Sequence, residues 1–199
     1  MPARQSKEES LTLKALSIEQ MSVSVKGISP LIMHKWSEKA IKMMLDKQMK
    51  KAVKGREKKN PKEDVEACTY RDSDGDVCIP SNMFKQAIVG AVRNVEGLTM
   101  TIVRGALFVT GDKDGNIKLK YGEMVPRQDM VRVSMGSADI RFRPEFRDWS
   151  ATMTIQYNPQ VISAEQIINL VNLAGFSVGI CEWRPEKNGD FGRFQVVKS

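Results

Sequence analysis

The stretch that most limits what this chain can become is its C-terminal run from Ile162 to Val197, which reads as helix, strand, glycine-rich loop and strand. Ile167, Ile168, Leu170, Val171 and Leu173 recur at the three-and-four spacing of one helical face. Ser163 and Gln166 form a capping box ahead of them, and Gly175 is the expected stop. From Phe176 to Ile180 the period shortens to that of a strand. The chain then enters EWRPEKNGDFGRF, where Pro185 cannot continue a central ladder and Asn188-Gly189 supplies a turn with positive φ. Phe191, Phe194 and Val196 resume a strand beyond it.

Arg184, Lys187 and Arg193 lie in this loop among Trp183, Phe191 and Phe194. Guanidinium donors beside flat rings suit a polyanion with exposed bases. The same residues also suit a hairpin that turns its rings inward and leaves its charges solvated.

Asp190-Phe191-Gly192-Arg193-Phe194 resembles the end of the glycine-rich loop in the RAMP superfamily of CRISPR-associated proteins, especially the backbone subunits that polymerise along guide RNA. Cys78-Ile79-Pro80-Ser81-Asn82-Met83-Phe84-Lys85-Gln86-Ala87 resembles that family's turn into its first conserved helix. Ser81 and Asn82 stand where Gly and Ser are usual, and Gln86 where Gly is usual. The resemblance implies a modified RNA-recognition-motif fold of ferredoxin-like type, and nucleic-acid binding.

The remaining elements, taken in order, can be fitted to such a fold. MSVSVKG from Met21 to Gly27 alternates as a half-buried strand. Met83 to Val95 carries Met83, Phe84, Ala87, Ile88, Ala91, Val92 and Val95 on one apolar face, with Lys85 and Arg93 outside it. MVRVS from Met130 to Ser134 and ATMTIQY from Ala151 to Tyr157 predict two more strands. With the Ile162 helix and the last strand this gives an α+β, ferredoxin-like βαββαβ core. The expected organisation is one domain over 1–199, with a flexible tail at 1–16 and insertions at about 30–80 and 98–130.

The first insertion holds a Met-rich helix from Trp36 to Met49. A basic arm follows from Lys47 to Lys62, where eight basic residues face one acid, too charged to pack a core of its own. Lys47, Lys50, Lys51, Lys54, Arg56, Lys58 and Lys59 are its candidates for phosphate contact, which would be indifferent to sequence. A second candidate surface interleaves Arg141, Phe142, Arg143, Phe146, Arg147 and Trp149, as a stacking face or as an edge hairpin with its rings packed inward. Asp72 to Asp76 and Asp112 to Asn116, each between strand-like runs (Val65–Tyr70 and Val77–Ile79 flank the first), read as tight turns. They lack the distal bidentate Glu of a calcium loop.

A net charge of +7, from 31 Lys and Arg against 24 Asp and Glu, favours anionic partners. No apolar run approaches bilayer length and the first ten residues are polar, so a cytoplasmic protein without a membrane partner is expected. The 3 cysteines, Cys68, Cys78 and Cys181, have no metal-ligand spacing, which predicts reduced, mostly buried thiols and neither a metal nor another cofactor.

The lone histidine, His34, leaves no basis for a Ser-His-Asp or Cys-His arrangement unless it takes part. A ribonuclease using His34 is the weaker alternative to a non-enzyme. The leading reading is a non-catalytic protein that binds single-stranded RNA or DNA by phosphate contact and stacking, as a homo-oligomer or a filament along the strand. The other is a protein-interaction module with a RAMP-like fold, such as a CRISPR-complex mimic or a virus-encoded inhibitor.

Overall fold

The computed structural model describes residues 15–51, 59–134 and 136–197. Strand β1 (Glu19–Gly27) leads to the short β2 (Leu31–Ile32), then to helices α1 (Glu38–Gln48) and α2 (Pro61–Ala67). Strand β3 (Cys78–Pro80) runs straight into α3 (Ser81–Ala91), and α4 (Met100–Ala106) straight into β4 (Leu107–Thr110). Next come β5 (Asn116–Lys120), the long pair β6 (Glu123–Ser134) and β7 (Ser137–Arg147), and β8 (Ser150–Tyr157). Helix α5 (Ala164–Ser177) and strand β9 (Phe194–Val196) close the chain.

The fold is mixed α+β with antiparallel strand pairing. One sheet runs β3-β5-β8-β1-β9, with β4 also paired to β8, and a second runs β2-β7-β6. Alternation along β1 and β8 sends Val23, Val25, Ala151, Met153 and Ile155 to one face, where α3 and α5 cover them. The opposite face keeps Ser24 and Thr152, whose hydroxyls lie 2.9 Å apart. Phe84, Trp149 and Phe194 pack edge to face in the core.

Helix α5 begins as its sequence dictates, with a complete capping box between Ser163 and Gln166. It does not stop at Gly175. The helix runs on to Ser177, and Gly175 is a contact point: a Cβ there would collide with the carbonyl oxygen of Phe194. The strand expected over Phe176–Ile180 is therefore helix and loop, and Gly179, at φ +70°, turns the chain out.

MVRVS is not a core strand either. It is part of β6, in the second sheet, and the strand after α3 that pairs with β8 in the core sheet is β4. Val65–Tyr70, expected as a strand, is instead the last three residues of α2, which Asn60 caps and Pro61 starts, and the turn that follows it. The basic arm is also ordered at its two described ends, Lys47 lying in α1 and Lys62 in α2. Residues 1–14 of the expected tail, and Lys54, Arg56 and Lys58 of the arm, lie outside the described residues.

Both acidic segments are turns built in the same way. Asp72 Oδ1 accepts from the backbone N–H of Asp74 and Asp76, and Asp112 Oδ1 accepts from those of Asp114 and Asn116. All 3 cysteines are free; Cys78 is buried, whereas Cys68 and Cys181 are only partly so. Burial pushes the Cys78 thiol up to about 11.

Candidate nucleic-acid groove

The glycine-rich loop is stitched to the β1–β2 connection. Gly192 N–H donates to Pro30 (2.8 Å), Ile28 N–H to Arg193 (2.9 Å) and Glu182 N–H to Ile32 (3.0 Å), and across the loop Ile180 N–H donates to Gly192 (3.0 Å). Gly192 sits at φ +65°, where a Cβ would strike the Ile180 carbonyl. The loop is thus fixed in place before any ligand arrives.

Between this loop and α3 lies a groove of about 680 Å³. One wall is a helical stripe: Asn82, Lys85, Gln86 and Val89 follow the three-and-four spacing of α3, and Arg93 continues it from the 3-10 turn Val92–Asn94 that follows. Arg104 of α4 extends that wall, and His34 and Trp36 also line the groove; Trp36 is 55% exposed.

Charge is distributed unevenly along it. Glu186 accepts from Arg184 Nη2 (2.8 Å) and Arg93 Nη1 (3.0 Å), so one acid serves both guanidinium groups. Its carboxyl is held below the usual glutamate value, by Arg184 first and Arg93 after it, against the opposing effect of burial. Lys85 and Arg104, by contrast, have no carboxylate within ion-pair reach among the described residues. Lys85 Nζ rests 3.7 Å from the ring centre of Phe108. Burial, and then the neighbouring positive charge of Arg104, push its pKa down. Two uncompensated cations on a concave wall are the arrangement an anion would relieve.

The residues singled out in the sequence fare differently. Arg143 is 2% exposed and Trp149 fully buried, so neither offers a surface to a ligand. Arg143 is surrounded by Asp129 (3.5 Å) and Glu182 (3.8 Å), and Trp149 Nε1–H donates to the Ser29 carbonyl at 2.8 Å. Arg147 is paired with Glu145 (3.0 Å) and Glu123 (3.4 Å). Arg184 is held by Glu186 and donates to the Cys181 carbonyl at 3.0 Å.

Trp183 and Phe191 take the Arg127 guanidinium over their rings, at 5.4 and 4.8 Å from the ring centres. Arg193 lies over the exposed Phe176, and Lys187 is exposed. Arg141 is half-buried on β7. Lys59 pairs with Asp139 at 2.6 Å, and Lys51 with Asp46 at 3.6 Å, while Lys47 and Lys50 are exposed at the end of α1. Of the nucleic-acid-binding candidates among the described residues, Arg184 alone lines the groove, and it arrives already neutralised.

His34 also lines the groove, with Nδ1 at 3.7 Å from Glu182 Oε1. Glu182 is held below the ordinary glutamate value by His34 first, then by Arg143 and Arg184, with burial opposing. No group of three or more His, Cys, Asp or Glu side chains among the described residues is arranged to hold a metal ion. No described helix is long and apolar enough to cross a membrane.

The sequence matches no protein-family model and no curated protein. Among solved structures the chain is similar to Cmr6 from Pyrococcus furiosus. The identity is 11% and the TM-score 0.44, over 92% of this chain and 100% of that one.

Proposed function

We propose that this chain is a non-catalytic protein that binds single-stranded RNA or DNA, and that the strand lies in the groove between α3 and the glycine-rich loop. The observation that carries the reading is the pair Lys85 and Arg104, cations without carboxylate partners, on the same concave surface as the exposed ring of Trp36. Cations that track a backbone beside a ring on which a base can stack are what sequence-tolerant strand binding needs. The strand order β9-β1-β8-β4, with α3 before β4 and α5 before β9, supports reading the core as ferredoxin-like βαββαβ.

The test is fluorescence anisotropy with labelled single strands of about 20 nucleotides, at several salt concentrations between about 50 and 200 mM. Wild-type affinity falls steeply with salt. Lys85→Gln/Arg104→Gln flattens the log–log slope by about 1.4, two contacts at about 0.7 each for a single strand. A wild-type slope near zero, or an unchanged slope in the double variant, overturns the reading.

A protein-interaction role is favoured by one observation. Helix α1 buries none of its residues and exposes Ile41, Met43, Met44 and Leu45, with Met49 just beyond its end. Under that reading the single strand is not bound at any salt concentration, and Met43→Lys/Leu45→Lys abolishes capture of a protein partner.

A further inference from the structure

We propose that this chain pairs with a second copy of itself along the free edge of β6, as a closed two-fold dimer centred on Met130. Among the described residues β6 is the outermost strand of its sheet, with β7 on one side only. The contact between β2 and β7 fixes which of its backbone groups are free. Met33 N–H donates to the Pro144 carbonyl at 3.2 Å, so Pro144 turns its backbone toward β2, and Arg143 and Glu145 turn theirs toward β6. The register sets Arg127 and Val125 opposite those two residues. The backbone N–H and C=O groups of Gln128, Met130 and Arg132 therefore point away from β7, and none of them is used in a hydrogen bond among the described residues.

An open edge is ordinarily blunted by proline, lysine or a bulge. In β6 such devices stand only at the two ends of the open stretch. Pro126 points outward without a donor, and a register shift interrupts the ladder between Arg132 and Ser134. What lies between runs from Gln128 to Arg132, with Met130 at its middle. A two-fold axis at that point pairs each Met130 with its counterpart and sets Gln128 against Arg132 of the other copy, each pair exchanging both N–H···O bonds. The side chains select the same axis. Met130 is 77% exposed, the most exposed large apolar side chain among the described residues, and its cross-strand neighbour Ile140 is 43% exposed. Across the axis the two methionines meet with an isoleucine beyond each, so the continuous sheet shields a row that one copy alone leaves in water. Within the stretch no like charges face each other, since Gln128 meets Arg132 and Asp129 meets Val131. A second copy brings this apolar row and these free backbone groups at matching positions, which favours it over an unrelated extended strand, and the pairing uses the same patch on both copies, so it closes.

The experiment is analytical sedimentation of the full chain without nucleic acid, over a concentration series up to about 0.1 mM. Wild-type protein passes from monomer to dimer and forms nothing larger. Met130→Glu brings two carboxylates face to face at the axis and weakens the dimer by about tenfold. Gln128→Lys sets an ammonium group against Arg132 on both sides of the axis and weakens it by a similar factor, whereas Gln128→Lys/Arg132→Glu restores the wild-type dissociation constant. The three side chains are exposed, so the melting temperature of the dilute monomer stays unchanged in every variant. A monomer at every concentration, an open series of larger species, or a dimer indifferent to Met130→Glu overturns the proposal. A double variant as weak as Gln128→Lys alone overturns it as well, because only the register centred on Met130 sets those two residues against each other.

Discussion

Replacing Glu186 by glutamine should tighten nucleic-acid binding. Glu186 is the acid that neutralises Arg184 and Arg93 on the groove wall, at 2.8 and 3.0 Å. Glutamine keeps the volume and removes the charge. Arg184 stays in place because its Nη1 still donates to the Cys181 carbonyl at 3.0 Å. Two guanidinium groups are then released toward the strand. At about 0.7 counterions per single-strand contact the log–log salt slope steepens by about 1.4, and at about 0.1 M salt the affinity gain reaches at most about 25-fold. The cost to the fold is small: both partners are about one quarter exposed (27% and 28%), and pairs of that kind contribute no more than about 1 kcal/mol. The assay is anisotropy titration at several salt concentrations, with thermal melting alongside. An unchanged or weakened affinity, with the melting temperature preserved, would mean that the strand does not run along the Arg93–Arg184 wall.

Three further outcomes follow from the same geometry. Gly175→Ala drives a methyl group into the Phe194 carbonyl and should cost about 1 to 3 kcal/mol in urea unfolding; a neutral result would show that α5 and β9 are not so closely packed. Trp149→Phe removes the donor to the Ser29 carbonyl and should cost about 1 kcal/mol or more while leaving strand affinity unchanged, so an affinity loss at intact stability would return Trp149 to the binding surface. Glu182 and Glu186 have folded pKa values below the ordinary 4.5, so the unfolded chain takes up protons first. The stability they contribute is present above pH 4.5 and is lost as pH falls through their lower folded values, and Glu182→Gln/Glu186→Gln should show a shallower loss of melting temperature on acidification than wild type.

The parts of the fold legible in the sequence were those where one local signal decides. Ser163-Ala-Glu-Gln166 could only open a helix, and the alternation of Met21 to Gly27 could only be a half-buried strand. Gly175 misled because its reason for being glycine is tertiary: it makes room for a backbone carbonyl from β9, which no local rule reports. The same holds for the second core strand. LFVT at Leu107–Thr110 is short and follows a helix without a break, whereas MVRVS has the cleaner alternation, yet only pairing with β8 decides which of them joins the core sheet.

The binding surface was misplaced for a reason that lies in strand geometry. Arg141, Phe142, Arg143, Phe146 and Arg147 look like a surface on which cations and rings mix, but along β7 alternate residues point to opposite faces. Arg141, Arg143, Glu145 and Arg147 therefore share one side, and Phe142 and Phe146 the other. The opposing strand completes the separation, since the register sets Glu123 across from Arg147 and brings Asp129 beside Arg143, and each of these carboxylates pairs with its arginine. Interleaving within a strand thus sorts rings from cations, while the same residue types spaced three and four apart on a helix share one stripe. Asn82, Lys85, Gln86 and Arg93 had that helical spacing in the sequence, visible as the residues left over once the apolar face of α3 was assigned. What the sequence could not supply was the other side of the groove, because Trp36 and Arg104 reach it from distant parts of the chain, and because only the structure shows that Glu186 silences Arg184 and leaves Lys85 free.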